Sequence, residues 1–341
     1  MQQKKKIGLS LIILLILLVG TITSFKIISS PPEYETKEFL MDTMVSLTVT
    51  GNEAKEAGQA AVKAMRQTAD EATRYNENSI ISRINNGAGN KPVEVTDDLL
   101  VMIKTAKEYG RLTDGKFDIT VAPVIDLWNF KAEDPAVPSD NKIERRLDLV
   151  NYKEININED KRTVMLAEPG MKLDLGGVAK GYIVDQAAEV LKKFDIESAL
   201  INAGGNIRTI GTKPNGDKWR IGIRNPRDTS KDSEDNYSNI IGIKETNVVT
   251  SGDYERYFME EGRRYHHILD PNTGYPARGL ASVTIVADSS FKADILSTAL
   301  FILGFDEAKA YIQEDDSIEG MLITTDLNKW QSEGFKKLIV D

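Results

Sequence analysis

A chain of 341 residues has room for one large domain or two closely packed ones, and with 41% apolar and 28% charged residues it can bury a core and is not disordered as a whole. A net charge of -9, with Lys and Arg scattered along the sequence, argues against nucleic-acid binding, which needs clustered Lys and Arg for counterion release. No cysteine is present, so disulfides, thiolate metal ligands, thiol nucleophiles and a lipid-modified cysteine are all excluded.

Lys4, Lys5 and Lys6 precede an uncharged apolar stretch from Ile7 to Phe25, which Lys26 and Ser29-Ser30-Pro31-Pro32 follow. That length is about enough for a helix to cross a bilayer. Lysines stay on the cytoplasmic side, which puts the bulk of the chain outside. A cleaved signal peptide would have a shorter apolar run and small residues at a cleavage site. The expectation is a cytoplasmic tail over residues 1–6, an uncleaved single-pass membrane anchor over 7–28, a linker over 29–37 and an extracytoplasmic domain over 38–341.

Thr43–Thr50 alternates, with Val45, Leu47 and Val49 on one face, and predicts a strand ending at the Gly51-Asn52 turn. Glu53–Thr73 carries Ala57, Ala61, Met65 and Ala69 at helical spacing. Thr96 is placed to cap a second helix, Asp97–Tyr109, stopping at Gly110. Ile155–Ile157 and Thr163–Leu166 flank a polar turn and read as a hairpin. Val178–Phe194 is an amphipathic helix; Ser198–Asn202, Ile207–Ile210 and Trp219–Ile223 read as strands, and polar Asn225–Asn239 as a mobile surface loop. Val283–Val286 is a strand, Phe291–Leu303 a helix and Met321–Thr325 a strand. Without regular βαβ alternation, the mixture predicts α+β rather than a doubly wound sheet.

Five segments hold more glycine and polar residues than packing requires. Thr113–Thr120 reads as a turn into a strand with Asp118 as a cap, or as part of a site. In Leu173–Gly181, Gly176-Gly177 precedes a helix whose N-terminus favours phosphate, and Lys180 lies one turn in; the pattern is neither G-x-G-x-x-G nor Walker A. Asn202-Ala203-Gly204-Gly205-Asn206 is a second glycine turn, which a tight hairpin would also explain. His266 and His267, the only histidines, adjoin the Asp270-Pro271-Asn272-Thr273-Gly274 turn; adjacent strand residues point apart, so one of the two faces a given site, as a base or as a structural imidazole. Asp294 and Thr298 share one face of a helix, where they suit a hard cation; Thr298 could instead bond back to a helical carbonyl, while Asp294 reads as a surface carboxylate whose removal leaves folding intact.

Taken in order, F-L-M-D-T, S-I-I-S-R-I-N, D-G-K-F-D-I-T-V-A-P-V-I-D-L-W, L-D-L-G-G-V-A-K-G-Y, N-A-G-G-N, T-S-G-D-Y, H-H-I-L-D-P-N-T-G-Y-P and A-D-I-L-S-T-A-L resemble the ApbE family, the FAD:protein FMN transferases, from Phe39 to about Gly304. The resemblance implies an α+β fold of two interleaved subdomains with a flavin nucleotide cleft between them. It implies FAD contacts at Met41, Tyr75, Lys116, Phe117, Asp118, Asp174, Lys180 and Leu269, and a Mg²⁺ site at the Gly177 carbonyl, Asp294 and Thr298. The family histidine aligns with His267; Asp118 is the alternative base. Tyr75 and Phe117 are aromatic candidates to pack on a ring. The implied reaction moves FMN from FAD to a Thr or Ser hydroxyl of a partner protein carrying an Asp/Gly/Thr-containing motif, releasing AMP. Rival readings are an FAD pyrophosphatase giving FMN and AMP, and a non-catalytic flavin-binding protein. Asp42 stands where the family pattern M-G-T has glycine.

Overall fold

Alternating strands and amphipathic helices settle into one large antiparallel sheet with helices on one face. The computed structural model describes residues 31–228 and 236–340. The predicted anchor over 7–28 lies outside them, as do residues 229–235 of the predicted surface loop. Among the described residues no helix is long and apolar enough to cross a membrane.

The main sheet has eight strands: β1 (Glu33–Leu40), β2 (Thr43–Thr50), β3 (Ser198–Ala203), β4 (Asn206–Ile210), β5 (Asn247–Gly252), β6 (Leu280–Ala287), β7 (Ile318–Thr324) and β8 (Lys329–Gln331). Their spatial order is their chain order, and every neighbouring pair is antiparallel. This is the predicted α+β class. The expected linker at Pro31–Lys37 is instead most of β1, paired along its length with β2 from Glu33↔Thr50 to Leu40↔Thr43. Charges on its exposed side hid the alternation, because an edge strand tolerates Glu33, Glu35 and Lys37 in water. The loop expected to run to Asn239 also ends early, as Tyr237–Ile243 pairs with Trp219–Arg224.

Helices α1 (Ala54–Ala72), α2 (Asp97–Leu112), α3 (Ala122–Trp128), α4 (Ala179–Leu191), α5 (Ser290–Leu303) and α6 (Phe305–Glu314) follow in chain order. α1 and α4 cover β1–β3 through Leu47, Ala57, Met65, Val184 and Ile201. α5 and α6 cover β5–β7 through Val283, Ile285, Phe301 and Leu322. The opposite face of the sheet, with Val286, Met321 and Ile323, meets the Trp219–Arg224/Tyr237–Ile243 ribbon and Phe335. Every residue of β6 is buried, as a central strand covered on both sides must be.

Residues 51–197 are inserted between β2 and β3. They carry a second, smaller unit built on the three-stranded sheet of Val93–Glu94, Ile155–Asn158 and Thr163–Leu166, with α2 packed on it. Thr96 caps α2, its hydroxyl accepting from Leu99 N. The helix does not stop at Gly110 but runs to Leu112: the glycine lets the Tyr152 ring approach, and a Cβ there would lie 2.8 Å from Tyr152 Cγ. Packing, rather than chain termination, accounts for that glycine.

α4 and α5 join the two units. Gly181 permits their contact, since a Cβ there would lie 2.7 Å from Asp294 Cβ and 2.8 Å from Phe291 Cα. Gly181→Ala is therefore expected to lower unfolding free energy by about 1–3 kcal/mol, the usual overpacking cost. Urea denaturation of the variant beside wild type measures it, and an unchanged midpoint would contradict the close contact.

Candidate active site

Where the two units meet, the start of α4 lies against the middle of α5 with the chains antiparallel. Gly177 and Gly181 are four residues apart, as are Asp294 and Thr298, and the pairs face each other. A Cβ on Gly177 would stand 3.4 Å from both Thr298 Oγ1 and Phe117 Cε2. Asp294 is only 2% exposed, so it is not the surface carboxylate the helix pattern suggested. Its Oδ2 accepts from Gly181 N at 2.9 Å, and its Oδ1 lies 3.2 Å from Lys180 Nζ. Lys180 also donates to Gly176 O at 2.8 Å, so an ammonium already sits between two oxygens of this corner.

Thr298 does not bond back along its helix; Ser297 does, donating to Asp294 O at 3.0 Å. Thr298 Oγ1 instead lies 3.3 Å from Ser251 Oγ, which also bonds Ser297 Oγ at 2.8 Å. The corner thus offers oxygen donors with one formal negative charge, a set that fits a hard cation sharing its shell with water or phosphate. Among the described residues no group of three or more His, Asp or Glu could hold a metal ion, so a carboxylate cage is not the arrangement here.

Asp174 ties this corner to its surroundings. Its Oδ1 accepts from Gly176 N at 2.7 Å, and its Oδ2 meets Arg74 Nε at 2.6 Å. Arg74 also bonds Asp126 at 2.5 Å; burial opposes its charge, but the two carboxylates outweigh that and raise its pKa. Tyr75 is 59% exposed, with Arg74 Cζ 4.7 Å and Lys131 Nζ 4.3 Å from its ring centre. Lys131 pairs with Asp42 at 2.5 Å. Met41 and Asp42 both have positive φ, the conformation of a two-residue hairpin turn, which aspartate tolerates better than most residues. Met41 is partly buried against both neighbouring core clusters.

Phe117 is buried in the core of the smaller unit, with its ring edge toward Gly177. Lys116 pairs with Asp270 at 2.9 Å, and Leu269 is buried beside Trp128 and Ile143. Trp128 Nε1 donates to Gly274 O at 2.7 Å, fixing the Asp270–Gly274 turn against α3. Asp118 leads into no strand. Its Oδ1 accepts from Thr120 N at 2.7 Å and Thr120 Oγ1 at 2.6 Å, and its Oδ2 from Tyr152 N at 2.8 Å. Burial raises its pKa, and these hydrogen bonds only partly counter the shift.

The two histidines point apart, as adjacent positions should. His266 is buried: Ile268 N donates to its Nδ1 and its Nε2 bonds Ala277 O at 2.9 Å, while Phe301 packs edge-on against the ring. Both nitrogens are engaged, and burial pushes its pKa down to about 4. His267 keeps part of its surface open. Its N donates to Arg256 O at 3.0 Å and its Nδ1 lies 3.3 Å from the same carbonyl. A carbonyl at Nδ1 requires the proton there, which leaves the Nε2 lone pair free. Desolvation, then the nearby Arg256 guanidinium, holds this imidazole well below its usual pKa. Arg256 Nη2 reaches Asp42 O at 3.2 Å, so the hairpin turn and the histidine share one residue.

A family model described as the ApbE family matches residues 41–322. The chain belongs to the ApbE family. Among curated relatives, an FAD:protein FMN transferase of Klebsiella pneumoniae is 37% identical over 72% of this chain and 75% of its own. One of Haemophilus influenzae is 34% identical over 86% of this chain and 85% of its own. The crystal structure of the ApbE protein of Thermotoga maritima superposes with a TM-score of 0.82 at 36% identity, covering 91% of this chain and all of that one.

Arg74, Asp126, Lys131, Ser251 and Arg256 were not singled out from the sequence. Asp126 and Ser251 lay inside quoted motifs, while the others are single charged residues whose partners lie far along the chain. Asp118→Ala would leave three buried donors unpaired, an expected loss of about 1–3 kcal/mol of stability for each that stays unsatisfied. Urea titration followed by tryptophan fluorescence tests this, and a wild-type midpoint would show that these bonds do not hold the loop.

Proposed function

We propose that this protein is an FAD:protein FMN transferase that uses Mg²⁺ to move FMN from FAD to a Thr or Ser hydroxyl of an acceptor protein, releasing AMP. Family membership supports flavin transfer. The single observation that carries the finer reading is the pairing of Gly177 and Lys180, at the start of one helix, with Asp294 and Thr298 on the next. A helix N-terminus and a lysine suit a pyrophosphate, and the oxygen corner suits its counterion.

In this reading the Gly177 carbonyl, Asp294 and Thr298 hold Mg²⁺, which when bound supplies neutralisation of pyrophosphate charge. Lys180 exchanges Asp294 for a phosphate oxygen. Arg74 keeps Asp174 and the glycine turn in place, and Tyr75 offers an exposed ring for the flavin, whereas Phe117 can offer only its edge. Met41, Lys116, Asp118, Asp174 and Leu269 line the proposed nucleotide cleft. His267 takes the acceptor's hydroxyl proton at Nε2 as the oxygen attacks the FMN-side phosphorus; the P–O bond to the AMP half breaks, and AMP leaves with the bridging oxygen. Asp118, already accepting three hydrogen bonds, is better suited to holding the loop than to receiving that proton. The acceptor segment is expected to carry an Asp/Gly/Thr-containing motif. The apolar Ile7–Phe25 stretch supports anchorage of the domain on the extracytoplasmic side of a membrane.

The deciding experiment counts AMP released per flavin-labelled acceptor: one to one supports transfer, AMP without label supports the pyrophosphatase, and neither supports a binding protein. His267→Ala should keep FAD affinity by flavin fluorescence yet transfer at least about tenfold more slowly in single turnover, as loss of a general base predicts. His266→Ala should instead lose stability. Because His267 is held neutral, the wild-type rate should show no acid limb near the ordinary imidazole pKa of about 6.5. A limb there would assign proton removal to an unshifted group. Asp294→Asn, chosen over Ala because it preserves the buried shape, should need far more Mg²⁺ for the same rate; an unchanged Mg²⁺ dependence would remove Asp294 from the site.

A further inference from the structure

Beyond the cleft, two adjoining concavities of about 370 and 440 Å³ run beside the Tyr257–Glu260/Arg263–His266 hairpin and share Arg263, Ala277 and Arg278 as their common wall. The chain as a whole is acidic, yet this groove is cationic. Asp253 answers only two of its arginines, meeting Arg227 at 2.7 and 2.8 Å and Arg264 at 3.4 Å. Arg263 and Arg278 have no carboxylate partner among the described residues. Arg278 spends one nitrogen on Arg264 O at 2.7 Å, and both guanidiniums lie within 5.7 Å of the Tyr265 ring centre. Burial, together with repulsion from Arg263, lowers the Arg278 pKa, and Tyr265 and Asp253 only partly offset this.

We propose that this groove is the docking site for an acidic segment of the acceptor protein, with Arg263 and Arg278 as its carboxylate ligands. The inference rests on the transferase reading, which supplies a protein partner. A guanidinium pair is suited to carboxylates. The groove is elongated and also lined by apolar Met259, Leu280, Ile302 and Leu303, which suits a chain better than a lone phosphate. Ile302, Leu303 and Gly304, at the junction of α5 and α6, line its second half. Asp270, which pairs with Lys116, lines the same half.

The test uses the full-length chain in neutral detergent and two fluorescent probes, a short Glu/Gly peptide and its Gln/Gly counterpart. Wild type should bind the acidic probe at least about tenfold more tightly, and Arg263→Gln/Arg278→Gln should erase the difference, as expected for two charge-assisted contacts. In transfer assays the double variant should raise KM for the acceptor protein while leaving KM for FAD and kcat unchanged. Equal affinity of wild type for both probes, or a preference that survives in the double variant, overturns the proposal. So does arginine-dependent binding of inorganic phosphate or phosphatidylglycerol vesicles without peptide preference, which would make the groove a phosphate site. Failure of wild type to label any acceptor would refute the transferase reading instead, and the probe comparison would still stand.

Discussion

The absence of two β-carbons sets the geometry of this molecule. Gly177 and Gly181 bring the start of α4 so close to α5 that Asp294 accepts the Gly181 amide hydrogen bond, and Thr298 lies beside Gly177. Any side chain on Gly181 would force the helices apart and break that bond. α4 packs with the main sheet through Val184 and Leu191, while Val178 and Ala179 belong to the core of the inserted unit. The same contact therefore joins the two units and builds the oxygen corner between them. Stability and site geometry cannot be varied independently here.

Around that contact, several polar groups are held by neighbours from distant parts of the chain. Arg74 links Asp174 to Asp126, Arg256 links the β1–β2 turn to His267, and Lys131 links Asp42 to Tyr75. The Lys131–Asp42 link fixes side-chain direction more than it adds stability, since exposed ion pairs contribute little, whereas Arg74 is largely buried. Asp42 illustrates this: it adopts the left-handed turn and adds a carboxylate for Lys131.

The sequence was most informative where one local rule acted alone. Helical spacing located α1 and α5 to within a residue of their ends and α4 to within three, and the Thr96 cap located the start of α2. The order of motifs identified the family. It was misleading where tertiary packing overrode the local signal. Gly110 looked like a stop but accommodates Tyr152, and β1 looked like a linker because water faces half of it. Asp294 looked exposed because its helix pattern says nothing about α4, which covers it. Arg74 and Arg256 carry no local signature at all; their roles exist only once residues some 100 positions away (Asp174) and 214 positions away (Asp42) are brought alongside.

An open sheet leaves two strands with unsatisfied pairing capacity, and a flat, apolar one would recruit another chain. At one end β8 is only three residues long, which offers little to pair with. At the other, β1 is eight residues long and would be the hazard, but its outward positions include Glu33, Glu35 and Lys37. A second copy aligned against them would have to desolvate those charges. The substitutions that made this strand unreadable as a strand are thus the ones that discourage polymerisation through it.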